Sequence, residues 1–123
     1  MIERGGGGSL AVTASLAAIE GTARNEHYAA TKGAVVSLVR GLPVELARHG
    51  VRANAILPGW IDTPMTEEMF GHEAMQRKVL PRIPLRRWGH PADFGGIAVY
   101  LASAASAYHT GDTIVIDGGY AIF

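Results

Sequence analysis

The fold is decided by the stretch HYAATKGAVVSLVRGLPVELARHGVRANAILPG, residues 27–59. Its spacing predicts a helix over residues 27–49, which ends at Gly50 because glycine favours helix termination. The apolar run that follows, residues 51–58, predicts a strand. The apolar residues that recur at helical spacing are Val35, Leu38, Val39, Leu42 and Leu46.

Pro43 lies inside this predicted helix. A proline in a helix interior removes one backbone hydrogen bond and costs about 3 kcal/mol. Gly41 stands two positions before it, so we expect a kink or a distorted turn at this point.

Working outward, a second strand is predicted before the helix and a third near the C-terminus. They are SLAVTAS, residues 9–15, after a run of four glycines, and TIVIDGG, residues 113–119. A strand, a helix and a strand in this order are typical of a parallel sheet in an α/β protein. Residues 16–26 are polar and irregular, residues 65–79 predict short helical pieces, and Pro91 begins a predicted helix that ends near Ser103.

The composition limits the possible functions. The chain has 123 residues, 48% hydrophobic and 18% charged, as expected for one globular domain. Eleven Lys and Arg balance eleven Asp and Glu, so no net charge attracts nucleic acid or an anionic membrane. The absence of cysteine excludes disulfides and thiol catalysis and fits a cytoplasmic location. No apolar run approaches the roughly 20 residues of a membrane helix.

Tyr28 and Lys32 stand four positions apart, on one face of the predicted helix. A free phenol titrates at about pH 10, and a neighbouring ammonium favours its ionised form, which allows general acid/base catalysis. The spacing alone also fits an exposed tyrosine beside a solvated lysine. Ser15 ends one predicted strand, and Pro58 and Gly59 end the next. This favours a site, because open α/β sheets bind ligands at the carboxyl ends of their strands.

Four segments together resemble the C-terminal half of a short-chain dehydrogenase/reductase. They are GGGGSLAVTAS (residues 5–15), YAATKGAVVSLVRGLPVELARHGVRANAILPGWIDTPM (28–65), RRWGHPADFGGIAVYLAS (86–103) and GDTIVIDGGY (111–120). The resemblance implies an α/β fold that is the C-terminal part of a Rossmann-like doubly wound parallel sheet. It further implies that residues 1–123 form one partial domain without the N-terminal dinucleotide-binding half, and that residues 64–84 form the substrate lid.

The resemblance also implies roles for individual residues. Tyr28 matches the family's catalytic tyrosine, and Ser15 matches the serine that hydrogen-bonds the substrate oxygen. Lys32 matches the lysine that holds the nicotinamide ribose and assists the tyrosine. The residues that match the loop holding the nicotinamide of NAD or NADP are Pro58, Gly59, Ile61 and Thr63. The implied reaction is hydride transfer between that nicotinamide and a small-molecule secondary alcohol or ketone.

Other expectations follow from the same comparison. Family members imply a cytoplasmic homo-oligomer, a dimer or a tetramer, with no nucleic-acid or membrane partner. Glycines 5–8 do not match a pyrophosphate-binding turn, because such a turn follows a strand and these precede one. A second interpretation is therefore a truncated, catalytically silent fragment that acts by self-association or needs a complementing half. An unpaired strand edge favours association, so we expect no well-behaved monomer.

Two other chemistries are excluded by their motifs. HEAMQ, residues 72–76, has Gln76 where a His-Glu-x-x-His zinc site needs its second histidine. Ser15 lies in Thr-Ala-Ser-Leu-Ala, which is not the Gly-x-Ser-x-Gly turn of a serine hydrolase. We expect no metal site.

Overall fold

A parallel sheet of three strands organises the chain, of which a computed structural model describes residues 1–122. The strands are β1 (Gly8–Thr13), β2 (Val51–Pro58) and β3 (Thr113–Ile116), in the spatial order β1-β2-β3. Both neighbouring pairs are parallel. The central strand β2 is buried along nearly its whole length, as expected for a strand that is covered on both faces.

The five α-helices in the described part of the chain lie in the two segments that connect the strands. They are α1 (Ala17–Glu20), α2 (Glu26–Leu46), α3 (Glu67–Gly71), α4 (Glu73–Val79) and α5 (Gly95–Ala102), with short 3-10 turns after several of them. None of the helices in residues 1–122 combines the length and the hydrophobicity that crossing a lipid bilayer requires.

Helix α2 connects β1 to β2 and packs on one face of the sheet. Val36 and Val39 on the helix lie in one core cluster with Ala53, Ala55 and Leu57 of β2. The helix gives way to a 3-10 turn, Ala47–His49, and then to Gly50 with a φ of 70°. This positive φ is the reason for the glycine that the sequence marks as the end of the helix.

The apolar spacing on α2 predicts the buried face only in part. Val39 is fully buried, and Val35 and Leu42 are partly buried against the core. Leu38, however, is 55% exposed, whereas its neighbour Val36 is buried. The helix is apolar on more than one side, so its periodicity alone does not decide which side faces the sheet.

Pro43 lies inside helix α2, as the predicted helix over residues 27–49 requires, and does not end it. Helix α2 continues to Leu46, and the N–H of Ala47 donates to the carbonyl of Pro43. The proline is buried and its ring lies beside Gly111. Burial of the ring offsets part of the cost of the lost backbone hydrogen bond.

Several predicted boundaries shift by a few residues. Strand β1 ends at Thr13, so Ser15 lies just beyond it, and the predicted irregular segment contains α1. The segment after Pro91 begins as a 3-10 turn, Pro91–Phe94, before α5. Strand β3 ends at Ile116 because Gly118 and Gly119 adopt positive φ values of 66° and 90°.

Candidate active site

A cavity of about 640 Å³ opens where the carboxyl ends of β1 and β2 meet the start of α2. This is the edge at which open parallel sheets bind ligands. All the residues that the sequence analysis assigned to catalysis or cofactor binding line this one cavity: Ser15, Tyr28, Lys32, Pro58, Gly59, Ile61 and Thr63.

Tyr28 and Lys32 lie in the first turns of α2. The Lys32 Nζ atom is 5.6 Å from the centroid of the Tyr28 ring. The same Nζ donates a hydrogen bond of 3.3 Å to the carbonyl of Thr13, the last residue of β1. The ammonium is therefore held between the phenol and the end of the strand, and both side chains border the cavity.

Ser15 is fixed by the short helix that follows it. Its Oγ accepts a hydrogen bond of 3.2 Å from the backbone N–H of Ala17. Because the oxygen acts as the acceptor in this bond, the hydroxyl proton is free to be donated to another oxygen. The position suits a group that donates a hydrogen bond into the cavity.

Another wall is formed by residues 58–63, which comprise the last residue of β2 and the start of the loop after it and are called the 58–63 loop below. At its start, the N–H of Gly59 donates to the carbonyl of Ile116 at 3.0 Å. A Cβ on Gly59 would lie 2.6 Å from the Cβ of Asp117 and 2.7 Å from its Cα, so only glycine fits here. The glycine that the sequence marks as a loop residue is thus required by the close approach of two strand ends.

A second threonine closes the other end of this loop. The Thr66 hydroxyl donates to the carbonyl of Ile61 at 2.6 Å and accepts from the N–H of Thr63 at 3.0 Å. Thr66 was predicted only as part of the 64–84 substrate lid and not as a partner of this loop. The only signal in the sequence is the i, i+3 pair of Thr63 and Thr66, which is typical of a local side-chain turn.

Other wall residues come from elements far apart in sequence. Ala11 and Thr13, which alternate along β1, line one side of the cavity. The 3-10 turn Pro91–Phe94 and helix α5 line another side. The lining residues not assigned from sequence are Ala11, Thr13, Ala14, Ile56, Met65, Thr66, Pro91, Phe94 and Ala98. Of these, Pro91 was predicted as the first residue of a helix, and Met65 and Thr66 belong to the segment 64–84 that the resemblance assigns to the substrate lid.

Helix α3, within residues 64–84, packs beside the site through aromatic contacts. Phe70 of α3 is buried and stacks on Trp88, with ring centroids 4.0 Å apart and an angle of 5° between the planes. Trp60, from the loop after β2, contacts Phe70 at 6.3 Å and Tyr120 at 5.9 Å between centroids. The two tryptophans of the chain therefore lie beside the cavity loop.

Residues 1–121 match the family model described as enoyl-(acyl carrier protein) reductase, which covers short-chain dehydrogenases/reductases. The chain belongs to the short-chain dehydrogenase/reductase family. The resemblance stated from the sequence is thereby confirmed, and so is the Rossmann-like α/β fold class.

Curated relatives and solved structures agree with this assignment. The 2-dehydro-3-deoxy-D-gluconate 5-dehydrogenase of Dickeya dadantii is 41% identical over 119 residues, which are 97% of this chain and 47% of that protein. The L-rhamnose-1-dehydrogenase of Scheffersomyces stipitis is 40% identical over 119 residues, 97% of this chain and 46% of that protein. The chain spans about half the length of these relatives.

Among solved structures, a gluconate 5-dehydrogenase from Burkholderia cenocepacia, in complex with NADP and tartrate, superposes with a TM-score of 0.94. It is 34% identical in sequence, and the match covers 99% of this chain and 48% of that chain. The fold described above is thus the fold of about half of a family member.

Proposed function

We propose that this chain provides the proton-transfer and nicotinamide-facing half of an NAD(P)-dependent oxidoreductase that interconverts a secondary alcohol and a ketone. One observation carries the proposal: Ser15, Tyr28 and Lys32 border the same cavity as the 58–63 loop. A proton donor (Tyr28), a hydrogen-bond donor (Ser15) and a cation (Lys32) can therefore contact the same bound molecule.

The proposed roles follow from the contacts of each side chain. Tyr28 passes a proton to the substrate oxygen during reduction and takes it back during oxidation. Ser15, whose Oγ already accepts from Ala17, donates its proton to the same oxygen. Lys32, held on the Thr13 carbonyl, binds ribose hydroxyls, and a cation beside a phenol favours its ionised form.

The donor set of the cavity fits the nicotinamide half of the cofactor. The ammonium of Lys32 suits ribose hydroxyls, and the backbone of Ile61 with the hydroxyl of Thr63 suits a carboxamide and a phosphate. Pro58 and Gly59 complete this wall of the cavity. When bound, the nicotinamide supplies or accepts the hydride, and the protein orients the reactants.

The substrate class is proposed from the relatives. They are named for sugars and sugar acids, so we infer a small polyhydroxylated substrate. We further propose that residues 64–84 form a lid that covers the bound substrate. From the family resemblance and the balanced charge, we also propose a cytoplasmic homo-oligomer, a dimer or a tetramer, without nucleic-acid or membrane partners.

Binding of reduced nicotinamide mononucleotide tests the cofactor role. This molecule is the part of the cofactor that the cavity would hold, and it accepts energy from Trp60 and Trp88. We expect saturable quenching of tryptophan fluorescence, and about tenfold weaker binding after Lys32→Ala, because a charge-assisted hydrogen bond is lost. Lys78→Ala, on the exposed side of α4, is the matched control and should bind as the parent chain does. Equal binding by both variants would contradict the role of Lys32.

A catalytically silent fragment is the second candidate. It is favoured by the position of β1 at an edge of the sheet, and by the lack of a pyrophosphate-binding turn in the sequence of residues 1–123. Incubation with NADP and either D-gluconate or L-rhamnose separates the two candidates. Formation of NADPH supports the enzyme. Binding of the mononucleotide without any turnover supports the silent fragment, which needs a complementing half.

A further inference from the structure

The 58–63 loop is held in place by a backbone bridge to a distant segment. The N–H of Gly89 donates to the carbonyl of Trp60 at 2.9 Å, and the N–H of Asp62 donates to the carbonyl of Gly89 at 2.9 Å. Together these bonds pair Ile61 with Gly89 in parallel fashion. Both partners of Gly89 flank Ile61, so the bridge fixes the direction of the Ile61 backbone at the cavity wall.

Gly89 must approach closely for this bridge to form. A Cβ at this position would lie 2.4 Å from the Cδ1 atom of Ile61. Ile61 and Gly89 also border a second, smaller cavity of about 200 Å³, which Arg87 and Asp93 line as well. Packing therefore leaves space beside Ile61, and the two hydrogen bonds of the bridge hold its backbone against Gly89.

An ion pair closes the segment that carries Gly89. The Arg87 guanidinium donates two hydrogen bonds to the Asp93 carboxylate, of 2.7 and 2.8 Å, one to each oxygen. The carboxylate also accepts the N–H of His90 at 2.8 Å, and Ala92 donates its N–H to the His90 Nδ1 atom. The Arg87 hydrogen bonds hold the pKa of Asp93 well below its ordinary value.

Stability alone does not account for this arrangement. The side chains of Arg87 and Asp93 are 53% and 32% exposed, and ion pairs of such exposure contribute little to the free energy of folding. A bidentate guanidinium–carboxylate pair does, however, define the relative position of its two ends. Those ends lie on either side of Gly89.

We propose that Arg87 and Asp93 are positioning residues for the cofactor: by closing the 87–93 segment, they press Gly89 against Ile61 and set the backbone that contacts the nicotinamide. The inference rests on the proposed function for its ligand. The claim that the Arg87–Asp93 ion pair holds the Ile61–Gly89 bridge in place applies to the chain without any ligand.

The test compares Arg87→Gln and Arg87→Lys with the parent chain. Arg77→Gln is the matched control, because it breaks another exposed Arg–carboxylate pair, with Glu73, away from the cavity. The readouts are hydrogen exchange of the Gly89 and Asp62 amides, affinity for reduced nicotinamide mononucleotide, and the unfolding midpoint in urea.

For Arg87→Gln we expect faster hydrogen exchange at the Gly89 and Asp62 amides. We also expect about tenfold weaker binding of reduced nicotinamide mononucleotide, because a small displacement of the Ile61 backbone weakens its contacts with the ligand. The urea midpoint should stay at that of Arg77→Gln. Arg87→Lys should resemble Arg87→Gln, because a point charge lacks the guanidinium fork. Unchanged amide exchange in Arg87→Gln, or full recovery in Arg87→Lys, would overturn the inference. If the parent chain fails to bind the mononucleotide, the proposed function fails, and the exchange data still decide the role of the ion pair.

Discussion

At the scale of single residues, the site depends on where Tyr28 and Lys32 point. One helical turn brings them to the same face of α2, and the hydrogen bond from Lys32 to Thr13 then ties that face to the end of β1. A local spacing and one long-range contact together place a phenol and an ammonium at the cavity. Neither feature alone would do so.

Tyr28→Phe removes only the hydroxyl. We expect turnover to fall by about a hundredfold or more, since the proton donor is lost, while affinity for reduced nicotinamide mononucleotide stays that of the parent. Steady-state rates with NADP and D-gluconate, beside fluorescence titrations, measure the two quantities. Tyr108→Phe is the control, because Tyr108 is fully exposed and outside the cavity. Equal rates in the Tyr28→Phe and parent chains would rule out the assigned role.

The Arg87–Asp93 pair has a defined pH dependence. Hydrogen bonds from Arg87 and from the His90 N–H lower the pKa of Asp93 from its ordinary value of 3.8. The pair's stabilising contribution is therefore complete above pH 3.8 and is lost only as the pH falls through the lowered pKa of the folded state. We expect Arg87→Gln to raise the Asp93 pKa towards 3.8. Carboxyl ¹³C shifts, followed during an acid titration, measure the change, and an unchanged pKa would contradict the pairing.

At the scale of elements, the loops and helix ends are tied by close backbone approaches. Gly59 lies close to the backbone of Asp117. Gly41, by contrast, lies in the middle of α2 on its solvent-exposed side, with open space around it. The space around a side chain therefore differs between the two glycine positions. In the first case packing demands glycine, and in the second it does not.

Substitution by alanine separates these cases. Gly59→Ala should lower the free energy of unfolding by about 1–3 kcal/mol, because the new methyl group meets backbone atoms that cannot move aside. Gly41→Ala should raise it by roughly 0.5–1 kcal/mol, because alanine favours a helix interior. Urea denaturation of both variants checks the signs. A stabilising Gly59→Ala would show that the strand ends are farther apart than described.

At the scale of the whole molecule, the chain exposes more surface than its mass requires. Its accessible surface is 7822 Å², and its mass is 13.0 kDa. A compact monomer of this mass exposes about 6,300 Å². The excess is larger than the roughly 800 Å² that one partner buries in a standard interface. Strand β1 is an edge of the sheet, and Val44 and Val99 are 89% and 71% exposed.

We therefore expect the chain to associate, either with itself or with a complementing polypeptide. Sedimentation velocity over a range of concentrations measures this directly, and it should show species larger than 13.0 kDa. Val44→Lys, which places a charge on the exposed side of α2, distinguishes contact through that helix from contact through the edge of β1. A compact monomer at every concentration would contradict the expectation.

Much of the fold could be predicted because its signals are local. Residues 51–58 were predicted as a strand and form β2, and Gly50 was predicted to end the helix before it. The burial of Pro43 within α2 could not be predicted, because its ring lies beside Gly111, about seventy residues away along the chain.

The sequence by itself determined the strand–helix–strand order, through the periodicity of short segments, and the candidate residues Ser15, Tyr28 and Lys32, through their spacing and position. It also indicated the family, through the resemblance of four segments to known members. Only the tertiary structure decided that Thr66, Phe94 and Gly89 join or support the same cavity. Their positions are set by contacts between residues that are distant along the chain. Such contacts have no local pattern, because they form only when the carboxyl ends of the strands and the segments after them meet.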